Sequence, residues 1–136
     1  MTYRILCAYD QSSGAEKAFD FALDFAKRAQ GELYVLAVFE PAEASRGVKN
    51  EALQQTARQQ FSDAFESMRT KAAALGVAFE AAVTVGYPSQ QIIKRAEELK
   101  ADHIVVGQRG KGSRTAVGSV SLRVVTHGIG TVTIVR

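Results

Sequence analysis

Between Ile104 and Ser121 an apolar run stops at Gly107, a basic glycine-rich loop follows, and a Gly118-Ser119 pair opens a helical pattern. Backbone amides in such a loop and at a helix N-terminus converge on an anion, so the chemistry suggested is the holding of a phosphate. The charge pattern points the same way. From His103 to Arg136 there is no Asp or Glu, while Arg109, Lys111, Arg114, Arg123 and Arg136 are basic; the preceding 102 residues hold 12 basic and 14 acidic groups. A compact anionic ligand gains from charge focused in this way. A nucleic-acid surface would call for a basic stripe interleaved with aromatic residues, and this tail has no aromatic residue, so no nucleic acid is expected.

Other chemistries find less support. The loop is not a Walker A sequence, because Lys111 is followed by Gly112, and Gly107-x2-Gly110 is not the dinucleotide fingerprint, which follows a first strand. No Cys/His spacing suits zinc, and Ser119 and Ser121 have no evident His/Asp partner for acyl transfer. No catalytic or metal-ligating residue is therefore assigned. His103 lies in an apolar strand pattern and fits core packing, His127 lies near a helix end, and Cys7 fits an inert buried thiol. Taken singly, Asp10 at a strand end is as good a turn cap as a ligand contact, Val38 is core, and Gly107 and Gly110 also suit a plain surface loop.

The elements that must position these residues alternate along the chain. Tyr3 to Tyr9 and Leu33 to Phe39 are strand-like, and Ser12 or Ser13 can cap a helix with Ala15, Ala18, Phe19, Ala22, Phe25 and Ala29 on one side. Leu53, Ala57, Phe61, Ala64, Phe65, Met68, Ala72 and Leu75 mark a long amphipathic helix stopping at Gly76. Val77 to Val85 reads as a strand, Pro88 opens a helix with Ile92, Ile93, Ala96 and Leu99 inward, and His103 to Gly107 is a fourth strand. A short helix from Ser119 to His127 precedes a β-branched strand from Thr131 to Val135. Strands alternating with helices imply an α/β fold with a mainly parallel sheet and ligands at the strands' carboxyl ends. At 136 residues, 46% hydrophobic and 23% charged, one soluble domain over 1–136 is expected. The single cysteine, the lack of a membrane-length apolar run and the absence of a leader pattern suggest a cytoplasmic protein with no membrane partner.

These motifs together resemble the universal stress protein family, nearly end to end. The resemblance is carried by the strand ending at Asp10 with Ser12-Ser13 after it, by Leu36-Ala37-Val38, and by Gly86-Tyr87-Pro88. It is strongest in Ala101 to Gly110 followed by Gly118-Ser119-Val120-Ser121. It implies an open five-stranded sheet of order 3-2-1-4-5 flanked by four helices, and a homodimer through the last strand, Thr131 to Val135. For the ATP-binding subgroup it also implies ATP (or ADP or AMP) with Mg2+. By matching motif, Asp10 lies near the ribose or a metal beside the Ala8 and Tyr9 backbone, and Val38 meets the adenine through its main chain. Gly107, Arg109 and Gly110 form one phosphate wall, and Gly118, Ser119, Val120 and Ser121 the other.

Two departures stand out. The subgroup resembles Gly-x2-Gly-x9-Gly-Ser/Thr, whereas only seven residues separate Gly110 from Gly118, and the extra Gly112 adds freedom. Gly128-Ile129-Gly130 stands where the family commonly has a proline-containing turn before the last strand. Two readings stay open: a nucleotide-binding stress-response or signalling domain acting by conformation or dimerisation with little turnover, and a nucleotide-independent dimeric module that binds an unidentified protein partner. As an enzyme, the chain is expected to be at most a weak ATP hydrolase.

Overall fold

In the computed structural model, residues 2–41, 51–108 and 118–136 are described. The chain runs β1 (Arg4–Tyr9), α1 (Ser13–Ala29), β2 (Glu32–Phe39), α2 (Glu51–Ala74), β3 (Ala78–Val85), α3 (Pro88–Leu99), β4 (His103–Gly107), α4 (Ser119–His127) and β5 (Thr131–Val135). The five strands form one sheet in the order β3-β2-β1-β4-β5, and every pairing is parallel. The expected α/β architecture and strand order are those observed.

Strand side chains alternate between two apolar layers, as the period of two requires. Ile5, Cys7, Leu33, Val35 and Val105 face α1 and α2, where they meet Phe19, Phe61, Phe65 and Met68. Leu6, Leu36, Ile104 and Val106 face α3 and α4, where they meet Ile92, Ala96 and Val124. Helices therefore cover both faces, and the central strands are buried nearly throughout, which explains their almost unbroken apolar sequence. Leu75 departs from its expected inward place. It lies beyond the end of α2 and is 39% exposed, because Val77 instead turns into the core as the chain enters β3.

Chain direction sets where a ligand can lie. From β1 the chain crosses through α1 to β2 on one side, whereas β4 lies on the other side of β1. The carboxyl ends of β1 and β4 thus flank a topological switch point, the position at which open parallel sheets leave a crevice. Asp10 follows β1 directly, and Gly107 ends β4.

Candidate functional site

Asp10 is fixed by local turn chemistry. Its Oδ1 accepts a hydrogen bond from the Ser12 backbone N–H at 3.0 Å, and the Ser12 Oγ in turn caps α1 by accepting from the Ala15 N–H at 3.0 Å. The residue between, Gln11, is left-handed at φ 68°, a conformation costing a non-glycine residue roughly 1–2 kcal/mol. Tyr9 anchors the turn from below: its phenol donates to the Glu16 carboxylate on α1, and its ring meets Phe61 edge-on at 6.3 Å between centroids. Burial, then the neighbouring Glu16 carboxylate, raises the Tyr9 phenol well above the usual tyrosine range, so it stays protonated.

Gly107 is a glycine for a packing reason. A Cβ there would stand 2.9 Å from the backbone C and O of Gly14, so only glycine lets the end of β4 meet the start of α1. Gln108 and Gly118 are joined to each other: the Gly118 N–H donates to the Gln108 carbonyl at 2.8 Å, and the Gln108 N–H to the Val135 carbonyl at 2.8 Å. Ser121, 3% exposed, donates its hydroxyl to the Gly107 carbonyl at 2.5 Å. These bonds hold the N-terminus of α4 at the end of β4. Gly118 is the N-cap and has no side chain with which to cap the first-turn amides of Ser119, Val120 and Ser121.

The result is a cleft of about 380 Å³ across the carboxyl ends of β1, β2 and β4. Ala8, Tyr9, Asp10, Val38, Gly107, Gly118, Ser119, Val120 and Ser121 all line it. Arg109 and Gly110 lie outside the described residues. Glu40 past β2 and Asp10 past β1 bring carboxylates to the cleft, and past β4, the strand next to β1, the α4 N-terminus presents its positive partial charge. No lysine or arginine is among the described lining residues.

Sequence reasoning missed part of the wall. Glu40, just past β2, Gln60 and Phe61 on α2, and Pro88 and Ile92 on α3 also line the cleft. Phe61 and Ile92 sit on helical apolar stripes and gave no sign beyond core packing, whereas the position of Glu40 at a strand's carboxyl end was a usable signal.

A model of the universal stress protein family matches residues 1–136. The chain belongs to that family. It is similar to a putative universal stress protein of Staphylococcus saprophyticus, with 34% identity over all of this chain and 85% of the relative. Among solved structures, it is similar to the universal stress protein UspA of Lactobacillus plantarum, at 30% identity and a TM-score of 0.86, covering 98% of this chain and 97% of the other. The fold is also that of a universal stress protein solved in complex with cAMP, at 22% identity and a TM-score of 0.78, covering 98% of this chain and 97% of the other. The family's sheet order is thus preserved here together with a cleft lined by both carboxylates and a helix N-terminus.

His103 and Cys7 lie away from this cleft, as their sequence setting suggested. His103 is 3% exposed; its Nε2 is 2.6 Å from Thr133 Oγ1 on β5, its Nδ1 is 3.3 Å from the Tyr3 hydroxyl, and its ring meets Phe25 edge-on. Cys7 is fully buried, and that burial, with the Glu16 charge, pushes its thiol up to about 12. Among the described residues, no three His, Cys, Asp or Glu side chains gather as a metal site. No helix among them is long and apolar enough to cross a membrane.

Proposed function

We propose that this universal stress protein binds a nucleotide in the cleft, ATP with Mg2+ or else ADP or AMP, and acts in stress response or signalling through nucleotide-dependent conformation or dimerisation, with little turnover. The observation that carries the reading is the polarity of the cleft. The first-turn amides of Ser119, Val120 and Ser121, which the Gly118 N-cap leaves without a side-chain cap, suit phosphate, while Asp10 at the end of the neighbouring β1 suits the hydroxyls of a ribose. The α4 amides draw the phosphate to the β4 side of the cleft, which leaves the base toward Val38 on β2.

The fit extends to size and to the ion. A volume of about 380 Å³ falls within the range of small-ligand sites, roughly 300–1,000 Å³. Mg2+ is usually held by one or two carboxylates together with substrate phosphates, which Asp10 can satisfy without a protein-only cage. When bound, the ion would neutralise phosphate charge. Family members of the same fold have been solved with cAMP, with dAMP in Archaeoglobus fulgidus and with AMP in Arabidopsis thaliana, which supports a nucleotide in general. Arg109 and Gly110 would complete the phosphate wall by their place in the motif.

Dimerisation through Thr131 to Val135 is favoured by two features. β5 is the edge strand of the sheet, and Leu122 (59% exposed) and Val125 (47%) lie exposed on the neighbouring α4. The same features favour the second reading, a dimeric interaction module that works without nucleotide. A buried lone thiol suits a reducing cytoplasm.

Thermal shift with ATP, ADP and AMP across Mg2+ concentrations separates the two readings, since a ligand that binds only the folded state must raise its stability. The nucleotide reading predicts a concentration-dependent rise. No shift, together with no nucleotide released on denaturing the purified protein, would leave the interaction module. Phosphate release at background level is expected; a rate well above it that disappears in Asp10→Ala would make the protein a hydrolase.

A further inference from the structure

Three non-glycine residues among those described adopt the left-handed conformation: Gln11, Gln30 and Lys100. Gln30 and Lys100 close the C-termini of α1 and α3, where that conformation is the usual helix ending. Gln11 ends no helix. It follows Asp10 at the cleft, and backbone strain at such a place persists only where the surroundings hold it.

The Asp10–Ser12 bond spans this residue, and Gln60 on α2 meets its side chain. The Gln11 Nε2 donates to the Gln60 backbone carbonyl at 3.0 Å, and the Gln60 Nε2 donates back to the Gln11 Oε1 at 3.2 Å. This reciprocal pair joins the turn after β1 to α2 at the cleft's edge, where Gln60 and Phe61 are themselves part of the wall. From Glu51 to Gln60, only Ala57 is buried. Both amides are exposed, so water competes for each bond and the pair can open and re-form.

We propose that Gln11 and Gln60 are positioning residues: they clasp α2 to the Asp10 turn around the ligand, so that filling the cleft and closing the clasp favour one another. The inference rests on the nucleotide reading above. Its physical basis is linkage: a ligand that touches both the Asp10 turn and the α2 wall binds better when the two are held at the right separation, and it stabilises that separation in return. Residues 51–60 then become the part of the protein that senses occupancy.

Gln11→Gly provides the test, because it removes the clasp and relieves the left-handed strain together. A purely structural role predicts a Tm that is little changed or raised, with unaltered AMP affinity. The clasp predicts that same Tm but AMP affinity weakened about five- to tenfold by calorimetry, the low end of a typical coupling. AMP should also slow amide hydrogen exchange over residues 51–60 in the wild type, and not in the variant. Gln60→Ala, which removes one of the two bonds, should lose less affinity, and the double variant should bind no more weakly than Gln11→Gly alone. Wild-type AMP affinity in Gln11→Gly, or exchange over 51–60 slowed equally by AMP in both proteins, overturns the clasp while leaving the nucleotide reading intact. Failure of the wild type to bind AMP, ADP or ATP overturns the nucleotide reading first and this inference with it.

Discussion

The Ser121 hydroxyl donates to the Gly107 carbonyl at 2.5 Å, tying the first turn of α4 to the end of β4. Two residues that motif matching assigns to opposite phosphate walls are thereby joined to each other. The Ser121 side chain acts as a strut, and its backbone amide remains directed along the α4 N-terminus. Ser121→Ala should lower stability by about 1 kcal/mol in urea unfolding, because a half-buried carbonyl loses its partner. Nucleotide affinity should fall several-fold as α4 shifts. Loss of stability with full affinity would show that the strut does not set the position of α4.

Gly107→Ala tests the packing role of the glycine that ends β4. The new methyl would meet the Gly14 backbone at 2.9 Å, and backbone cannot give way as a flexible side chain does. Stability should fall by about 2 kcal/mol, typical of overpacking, with a lower urea midpoint and an unchanged m-value. If stability is retained, α1 and β4 can separate more readily than their contact suggests.

Much of this architecture is legible in the sequence, for identifiable reasons. The strands from Arg4 to Tyr9 and from Glu32 to Phe39 are apolar on both faces, and the helix starts at Ser12 and Pro88 are written in capping chemistry. That Asp10, Val38 and Gly118 to Ser121 line one cleft could be anticipated because their motifs sit at strand ends and at a helix start. What the sequence could not convey is that α2 reaches the cleft. Phe61 follows the same helical stripe as Phe65 and Met68, and periodicity does not say which member of a stripe extends past the sheet. The Gln11–Gln60 pair was hidden for the same reason: two ordinary surface amides lie 49 positions apart in sequence.

His103 makes stability depend on pH. Burial lowers its pKa below the ordinary histidine value of 6.5, so as pH falls the unfolded chain takes up the proton first. Stability should therefore be level above about pH 6.5 and decline below it, toward the folded-state pKa. The uncharged side chain of His103→Gln should flatten that part of the curve relative to wild type in urea titrations from pH 7.5 to 5. Identical slopes in both proteins would assign the decline to other groups.

Cys7 should be chemically silent until the protein opens. Its thiol is held near 12 within a fully buried strand, so thiolate is scarce at pH 8 and reagents have no path to the sulfur. An aromatic disulfide reagent should register almost no free thiol in the native protein and one equivalent in urea, matching the single cysteine. Fast native labelling would require the sheet to open around β1.

Gly118→Asp separates the phosphate site from the fold. The N-cap backbone at φ −68° and ψ 158° is extended, and aspartate is a favourable N-cap there, so α4 should be kept or strengthened by a few tenths of a kcal/mol. The same carboxylate would occupy the amides intended for phosphate and repel its charge, so nucleotide-induced thermal shifts should vanish. Gly118→Asn adds similar bulk without the charge and should retain part of the shift. Equal loss in both variants would make the defect one of space, and unchanged affinity in Gly118→Asp would move the phosphate away from α4 altogether.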